Sequence, residues 1–88
     1  MKTFDLTIAT PEKNLYHGKA TSLVAPSALG YLGVWADHAP LIAALVPGNI
    51  TIRDAAGNTT VFVTHGKGFI EVLRNKVTLL MDSPVKNE

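Results

Sequence analysis

Hydrophobic and polar residues alternate with a period of two along most of this chain. Phe4, Leu6 and Ile8 are separated by single polar residues, and residues 50–53 and 76–79 repeat the alternation. A period of two is typical of β-strands that bury one face, because successive side chains point to opposite sides of a sheet. The pattern therefore predicts a chain built from short strands.

Turn-forming residues, mainly glycine, proline and asparagine, divide this pattern into short segments. The predicted strands are residues 4–8, 15–19, 20–25 (after a break near Gly18), 50–53, 59–65, 69–73 and 76–81. Residues 30–40 are the least regular part of the chain, and residues 36–40 within them are interpreted as an ordered loop. Residues 41–46 are interpreted as a strand or one helical turn, and Arg74-Asn75 as a tight connection. Eight to ten short strands with short connections predict an all-β sandwich or barrel that is mainly antiparallel.

The composition adds an expectation about the surface. Hydrophobic residues make up 47% and charged residues 17% of the 88 positions, whereas soluble domains average about 25% charged residues. A domain of this size has a thin core, so part of the apolar excess is expected on the surface, where apolar patches mark partner-binding faces. The alternative is that scattered alanines account for the excess.

Charge and cysteine content exclude several classes of function. The net charge is +1 with the basic residues spread along the chain, which argues against nucleic acid as a partner. The chain has no cysteine, so it forms neither disulfides nor thiolate metal sites. The longest apolar run, Leu41–Val46, is far shorter than the roughly 20 residues that span a bilayer.

Candidate catalytic and metal-binding motifs are weak. His17, His38 and His65 have none of the short spacings that prearrange a zinc site, so they are interpreted as three separate histidines. Gly66-Lys67-Gly68 lacks the spacing of a phosphate loop and is interpreted as a turn. No Gly-x-Ser-x-Gly nucleophile motif is present. The sequence therefore gives little support to an enzyme.

Two aromatic residues lie in the irregular segment 30–40. Tyr31 and Trp35 are amphipathic, and such residues on a loop commonly anchor protein partners. For Trp35 the alternative is a core position beneath the loop.

Three blocks of residues, in order along nearly the whole chain, carry a family resemblance. They are residues 8–12 with Tyr16-His17-Gly18; residues 30–34 with His38-Ala39-Pro40-Leu41 and Leu45-x-Pro47-Gly48; and Gly66-x-Gly68-Phe69-x-Glu71-Val72 with residues 75–78, Leu80 and Asp82. With these blocks the chain resembles the N-terminal β-sandwich domain of the epsilon subunit of rotary F-type ATP synthases.

The resemblance implies a fold, a function and a location. It implies ten strands in two sheets within residues 1–84, a polar tail at 85–88 and no C-terminal helical domain. In the family this domain is a non-catalytic rotor part that docks on the gamma subunit and the c-ring and couples proton-driven rotation to ATP synthesis. The expected location is the cytoplasmic face of an energy-transducing membrane, which for a bacterial protein is the inner membrane. The domain is expected to be attached to this membrane only through the complex.

The resemblance also assigns contact residues. Thr10 lies where the family approaches gamma, and His38 with Leu41 lies on the segment that contacts gamma and the ring. Tyr31 stands where relatives often carry a polar or acidic residue facing the ring, so here hydrogen bonding and aromatic packing replace charge. The resemblance implies no catalytic residue, metal, cofactor or nucleotide site in this domain.

The residues leave one alternative function open. A free-standing β-sandwich that binds a small ligand such as a sugar would use Trp35 or Tyr31 as a stacking platform. Co-purification separates the two functions, because a stalk subunit is recovered with gamma and a ligand-binding module alone.

One prediction follows from the end of the sequence at Glu88. Most relatives continue into a pair of helices that restrain ATP hydrolysis and in some members bind ATP. This chain is therefore expected to bind no ATP, which calorimetric titration measures directly; micromolar binding would contradict the expectation.

Overall fold

A computed structural model describes residues 2–82 and 85–87, which contain ten β-strands and no helix. The strands are β1 (Phe4–Ala9), β2 (Asn14–Ala20), β3 (Ser22–Ser27), β4 (Gly30–Trp35), β5 (His38–Leu45), β6 (Gly48–Arg53), β7 (Thr59–Thr64), β8 (Gly68–Arg74), β9 (Lys76–Met81) and β10 (Val85–Asn87).

The ten strands form one continuous hydrogen-bonded sheet that folds into two layers. Sheet I has the strand order β10-β7-β6-β3-β4, and sheet II has the order β5-β8-β9-β1-β2. The two layers join where β3 pairs with β5 at Ser27 and Leu45. All neighbouring strands are antiparallel except β1 and β9, which are parallel. The predicted all-β sandwich of about ten short strands is confirmed, with the two predicted sheets joined as the two layers of one folded sheet.

The hydrophobic core lies between the two sheets and follows the alternation in the sequence. Leu6 of β1 and Leu79 of β9 face it from sheet II, and Leu23 of β3 and Ile50 of β6 face it from sheet I; all four are fully buried. Burial of one such side chain contributes about 1.5–3 kcal/mol. The core therefore holds the two layers together across their whole width.

The irregular segment at residues 30–40, with its predicted ordered loop at residues 36–40, instead supplies strand β4 of sheet I and the start of β5 of sheet II. Strand β4 pairs with β3 along its full length, and the chain turns at residues 36–37 before β5 begins at His38. Asp37 takes a left-handed conformation, with φ at 64°, that an aspartate tolerates in a tight turn. Pro40 fits within β5 because the register shifts between His38 and Leu41. Gly30, Gly33 and Pro40 interrupt the alternation in this segment, so the sequence pattern did not predict its strands.

The structure also decides the secondary structure of residues 41–46 and of the neighbouring segments. Residues 41–45 belong to strand β5, so the helical alternative is wrong. Strand β2 continues through Gly18, opposite Leu6, and the break before β3 falls at Thr21 instead. The two-residue connection at Arg74-Asn75 is confirmed, because the residues on either side of it pair directly.

The last described residues form a short strand. The predicted domain boundary at residue 84 lies outside the described residues. Val85–Asn87, expected in a polar tail, pair antiparallel with β7. This pairing covers one edge of sheet I, where backbone N–H and C=O groups would otherwise lack partners.

Gly68 yields a prediction about stability. It lies opposite Met81 at the start of β8, and a Cβ atom at this position would overlap the backbone carbonyl oxygen of Leu80. Backbone atoms of a paired strand do not move aside as a flexible side chain does. Gly68→Ala is therefore expected to lower the free energy of unfolding, measured in urea, by at least about 1–3 kcal/mol.

The matched control is Gly18→Ala. A Cβ atom at Gly18 would lie 3.9 Å from the nearest atoms of Tyr16, an ordinary contact. We expect this variant to unfold close to the wild-type midpoint. Equal midpoints for Gly68→Ala and the wild type would contradict the assignment.

Candidate interaction surface

The outer face of sheet II carries a contiguous group of exposed apolar side chains. Phe69 of β8 lies between its cross-strand neighbours Ala44 of β5 and Leu80 of β9. Ile42 is the next outward residue of β5. The outward positions of β8 are 69, 71 and 73, so Leu73 faces the same side as Phe69, two outward positions away. We refer to Ile42, Ala44, Phe69, Leu73 and Leu80 as the apolar face.

The side chains of the apolar face are well exposed. Ile42 is 71% exposed, Phe69 59%, Leu73 52% and Leu80 51%. The alternation of β8 explains this, since Ile70 points into the core and leaves its neighbours outside. Seven large hydrophobic side chains of the described residues are more than half exposed. This confirms the expectation that part of the excess of apolar residues lies on the surface.

A groove continues the apolar face at one end of the sandwich. It has a volume of about 770 Å³ and is lined by Phe69 and Leu80 together with Pro11 and Pro47. Pro11 belongs to the turn that follows β1, and Pro47 to the connection between β5 and β6. Its apolar walls and the apolar face form one surface.

The remaining strands of sheet II give this surface a polar border. The Oγ1 atom of Thr7 lies 3.0 Å from Nδ1 of His17, and Lys19 donates a 2.8 Å hydrogen bond to Asp5. This hydrogen bond and the lysine charge lower the pKa of the Asp5 carboxyl. An apolar centre beside a polar, solvated border is the usual anatomy of a protein interface.

The four contact residues assigned from the sequence do not form one cluster. Thr10 follows β1, whose C-terminal end lies beside Leu80 of β9. His38 begins β5 at the other end of sheet II, roughly 20 Å away along the strands. Tyr31 lies on β4 in sheet I, where it is 64% exposed and its hydroxyl accepts a 3.4 Å hydrogen bond from the backbone N–H of Asn49.

His38 and Leu41 share strand β5 but differ in environment. Nδ1 of the half-buried His38 lies 2.7 Å from the carbonyl oxygen of Ala39. Leu41 is partly buried and packs against the core, opposite Val72 of β8. Its neighbour Ile42 points to solvent instead.

Sequence reasoning missed the apolar face itself. The signal was present, because Phe69 and Leu73 occupy the outward positions of a strand whose inward positions, Ile70 and Val72, are already apolar. A strand that places large apolar residues on both sides, with Glu71 as the polar outward residue between them, indicates a partner-binding face.

The described part of the chain contains no group of three or more histidine, aspartate or glutamate side chains placed to hold a metal ion. The interpretation of Trp35 as a core residue is wrong, since its side chain is 58% exposed. Its indole lies over Gly33, where a Cβ atom would come 2.7 Å from the ring. Trp35 borders a second hollow of about 590 Å³ whose lining includes Arg53 and Lys2 but not Tyr31.

A network of polar contacts joins two turns at the His38 end of sheet II. The Lys2 ammonium donates to Asp37 at 2.7 Å, and Asn75 both accepts from the Asp37 backbone N–H at 2.7 Å and donates to its carboxylate at 3.1 Å. The hydrogen bond from Lys2, then that from Asn75, lower the pKa of the Asp37 carboxyl. The network fixes the turn from which β5 starts.

Comparison with known proteins identifies this architecture. The fold is that of a small β-sandwich domain, and residues 3–87 match the family model described as ATP synthase, Delta/Epsilon chain, beta-sandwich domain. The chain belongs to this family.

Relatives and solved structures agree with the assignment. The ATP synthase epsilon chains of Xanthomonas euvesicatoria and Xylella fastidiosa are 41% and 40% identical over 86 residues, which are 98% of this chain and 61% of each relative. The chain thus spans less than two thirds of these relatives. A chain in the Euglena gracilis mitochondrial ATP synthase shares the fold with a TM-score of 0.88 at 18% identity, covering 97% of this chain and 53% of that chain.

The network at Asp37 predicts a pH dependence. A carboxyl whose pKa is lowered by folding stabilises the protein above its unfolded pKa, and this contribution is lost as the pH falls through the folded pKa. Asp37→Asn keeps a residue suited to the turn but removes the charge. We therefore expect the wild type to melt at a higher temperature than this variant at pH 7, with the difference shrinking below about pH 4.

Lys2→Met removes the other partner of the same ion pair and should show a difference of the same sign. Circular dichroism melts between pH 7 and pH 2.5 measure both. A difference between wild type and Asp37→Asn that stays constant over this range would contradict the role assigned to the charge.

Proposed function

We propose that this chain is a non-catalytic rotor subunit of an ATP synthase. In this role it docks on the gamma subunit and the c-ring of the central stalk and couples proton-driven rotation to ATP synthesis. The observation that carries the proposal is the apolar face of sheet II with its groove and polar border. The family membership supplies the context, and the exposed surface supplies the means of docking.

The mechanical task requires a stiff body, which the fold provides. Torque passes between two partners only when the part that joins them does not deform. Here the two layers enclose a continuous core and are connected by short turns. Packed interiors have low compressibility and transmit strain. A domain of this kind transmits displacement from one surface to another.

The apolar face is assigned to gamma. A stable interface buries more than roughly 1,000 Å² and has an apolar, well-packed centre. The apolar face and the groove together form such a centre, with Thr10 next to the groove and His38 at the far end of β5. Leu41 supports this surface from the core side, while Ile42 makes the contact.

Tyr31 is assigned to the c-ring. It lies on sheet I with its ring largely exposed and its hydroxyl near the backbone of Asn49. A contact here and a gamma contact on sheet II use different surfaces, so both partners fit at once. The hydroxyl and the aromatic ring supply hydrogen bonding and packing in place of charge.

The solved relatives give the assembly context. One structure with this fold, at a TM-score of 0.74 and 18% identity, is titled as the central stalk and c-ring of the Tetrahymena thermophila mitochondrial ATP synthase. No helix in the described ranges is long and apolar enough to cross a membrane. We place the chain at the cytoplasmic face of a bacterial energy-transducing membrane, attached through its partners, with no nucleic acid or ATP bound by this domain.

A small-ligand module remains the rival function, and the hollow beside Trp35 is the observation in its favour. An exposed indole can stack on a sugar ring. Purification from the native membrane separates the two functions. Recovery with gamma supports the stalk role, and recovery without gamma but with a bound sugar supports the rival.

The docking proposal predicts the effect of a charge in the apolar face. Ile42→Asp and Phe69→Asp are each expected to weaken binding of the purified gamma subunit by roughly 10- to 100-fold, because an apolar contact is replaced by a carboxylate that must be desolvated. Surface plasmon resonance with immobilised gamma measures the change.

Trp35→Asp is the matched control, because Trp35 is 58% exposed but lies on β4 of sheet I, opposite Ser22 and at the end away from Ala44. It should bind gamma like the wild type. All three variants should keep the wild-type melting temperature within a few degrees, since the replaced side chains lie outside the core. Unchanged affinity in both Ile42→Asp and Phe69→Asp would sink the proposed gamma contact.

A further inference from the structure

A single carboxylate lies within the apolar face. Glu71 is an outward residue of β8, between Phe69 and Leu73 along the strand. Its cross-strand neighbours are Ile42 of β5 and Thr78 of β9. Three of these four neighbours are large hydrophobic side chains that are more than half exposed. Glu71 is therefore surrounded by the surface assigned to a partner.

This carboxylate has no partner within residues 2–82. No ion pair or side-chain hydrogen bond of the described residues involves Glu71. The nearest basic residue by register is Lys76, which lies diagonally across β9, opposite Leu73. On its other side Lys76 pairs in register with Asp5 of β1, whose pKa it helps to lower. In the free chain, Glu71 is exposed and hydrated by solvent.

Docking changes the situation of Glu71. When a partner covers the apolar face, the carboxylate loses its water together with its apolar neighbours. A buried charge without a counter-ion is strongly unfavourable, whereas one that meets a cation with good hydrogen-bond geometry is not. An apolar partner surface alone would therefore fit Phe69 and Ile42 but would reject Glu71.

We propose that Glu71 is a specificity-determining residue that receives an arginine or lysine side chain from the gamma surface seated on the apolar face. An arginine fits best, because its planar guanidinium forms two parallel hydrogen bonds with a carboxylate and is less strongly hydrated than an ammonium. This inference rests on the proposed function, and it adds the chemistry that the partner must present.

The pair fixes how the partner sits. Apolar contacts are not directional, so a face made only of Ile42, Phe69 and Leu80 allows a partner helix to slide or rotate. One charge pair at a defined place has a single favourable register, and wrong registers leave a buried carboxylate unpaired. For a rotor part this register sets the angle at which the two subunits turn together.

The test measures the affinity of purified gamma for the folded chain. Glu71→Gln keeps the size of the side chain and removes its charge, and we expect it to weaken binding by roughly tenfold or more, mainly through faster dissociation. Glu71→Lys places like charges together and should weaken binding further. Asp54→Asn is the charge-matched control on the β6–β7 loop of sheet I, and it should bind like the wild type.

Lys76→Gln separates partner recognition from a contact within this chain. If the cation comes from gamma, this variant should bind at least as well as the wild type. A loss as large as that of Glu71→Gln would show that Lys76 serves the carboxylate, and would overturn the inference. In the final step, arginines and lysines of gamma are replaced singly by glutamate, and one of these variants should restore binding to Glu71→Lys.

The outcomes also distinguish this inference from the function on which it rests. If Ile42→Asp abolishes binding while Glu71→Gln leaves it unchanged, the gamma contact stands and the role of Glu71 is refuted. If wild-type chain does not bind gamma at all, both fail. Melting temperatures of the Glu71 variants should match the wild type, because the side chain is exposed and unpaired.

Discussion

The alternation of side chains in the strands of sheet II governs both the interior and the surface of this domain. In β8, Ile70 and Val72 point inward and complete the core, which forces Phe69 and Leu73 outward. If all the outward residues of β8 were polar, the outer face of sheet II would lack the central side chains of the apolar face. Because the same strands carry the core and the apolar face, the apolar face rests directly on the packed core.

The turns add rigidity where the strands end. Asp37, Lys2 and Asn75 tie the start of β5 to the connection between β8 and β9. In the β6–β7 loop the carboxylate of Asp54 accepts hydrogen bonds from the backbone N–H groups of Ala56 and Asn58 at 3.0 and 2.9 Å. These exposed contacts contribute modestly to stability, but they define where each strand begins.

The sequence predicted the fold class well because period two is a physical consequence of the pleated sheet. It failed at residues 30–40, where Gly30 and Gly33 contribute no side chain to the pattern and Pro40 normally ends a strand. Long-range pairing corrects such a local reading, since the full partnership of β4 with β3 outweighs weak intrinsic preference. The site was less accessible to prediction. Resemblance pointed to β5, but only the register shows that Leu41 faces the core while Ile42 faces solvent.

The parallel pairing of β1 with β9 has a consequence for how the chain folds during its synthesis. The first strand lies between β2 and β9, so one of its two edges stays open until the residues of β9, Lys76–Met81, have been synthesised. During synthesis at roughly 5–20 residues per second, that edge waits several seconds for its partner while apolar side chains of β1 lack their final cover. Contacts between such distant segments also slow folding. The pairing of β1 with β9 is therefore a late step in the folding of the nascent domain. Ribosome-bound chains that lack β9 expose the unpaired edge of β1 and need protection from aggregation.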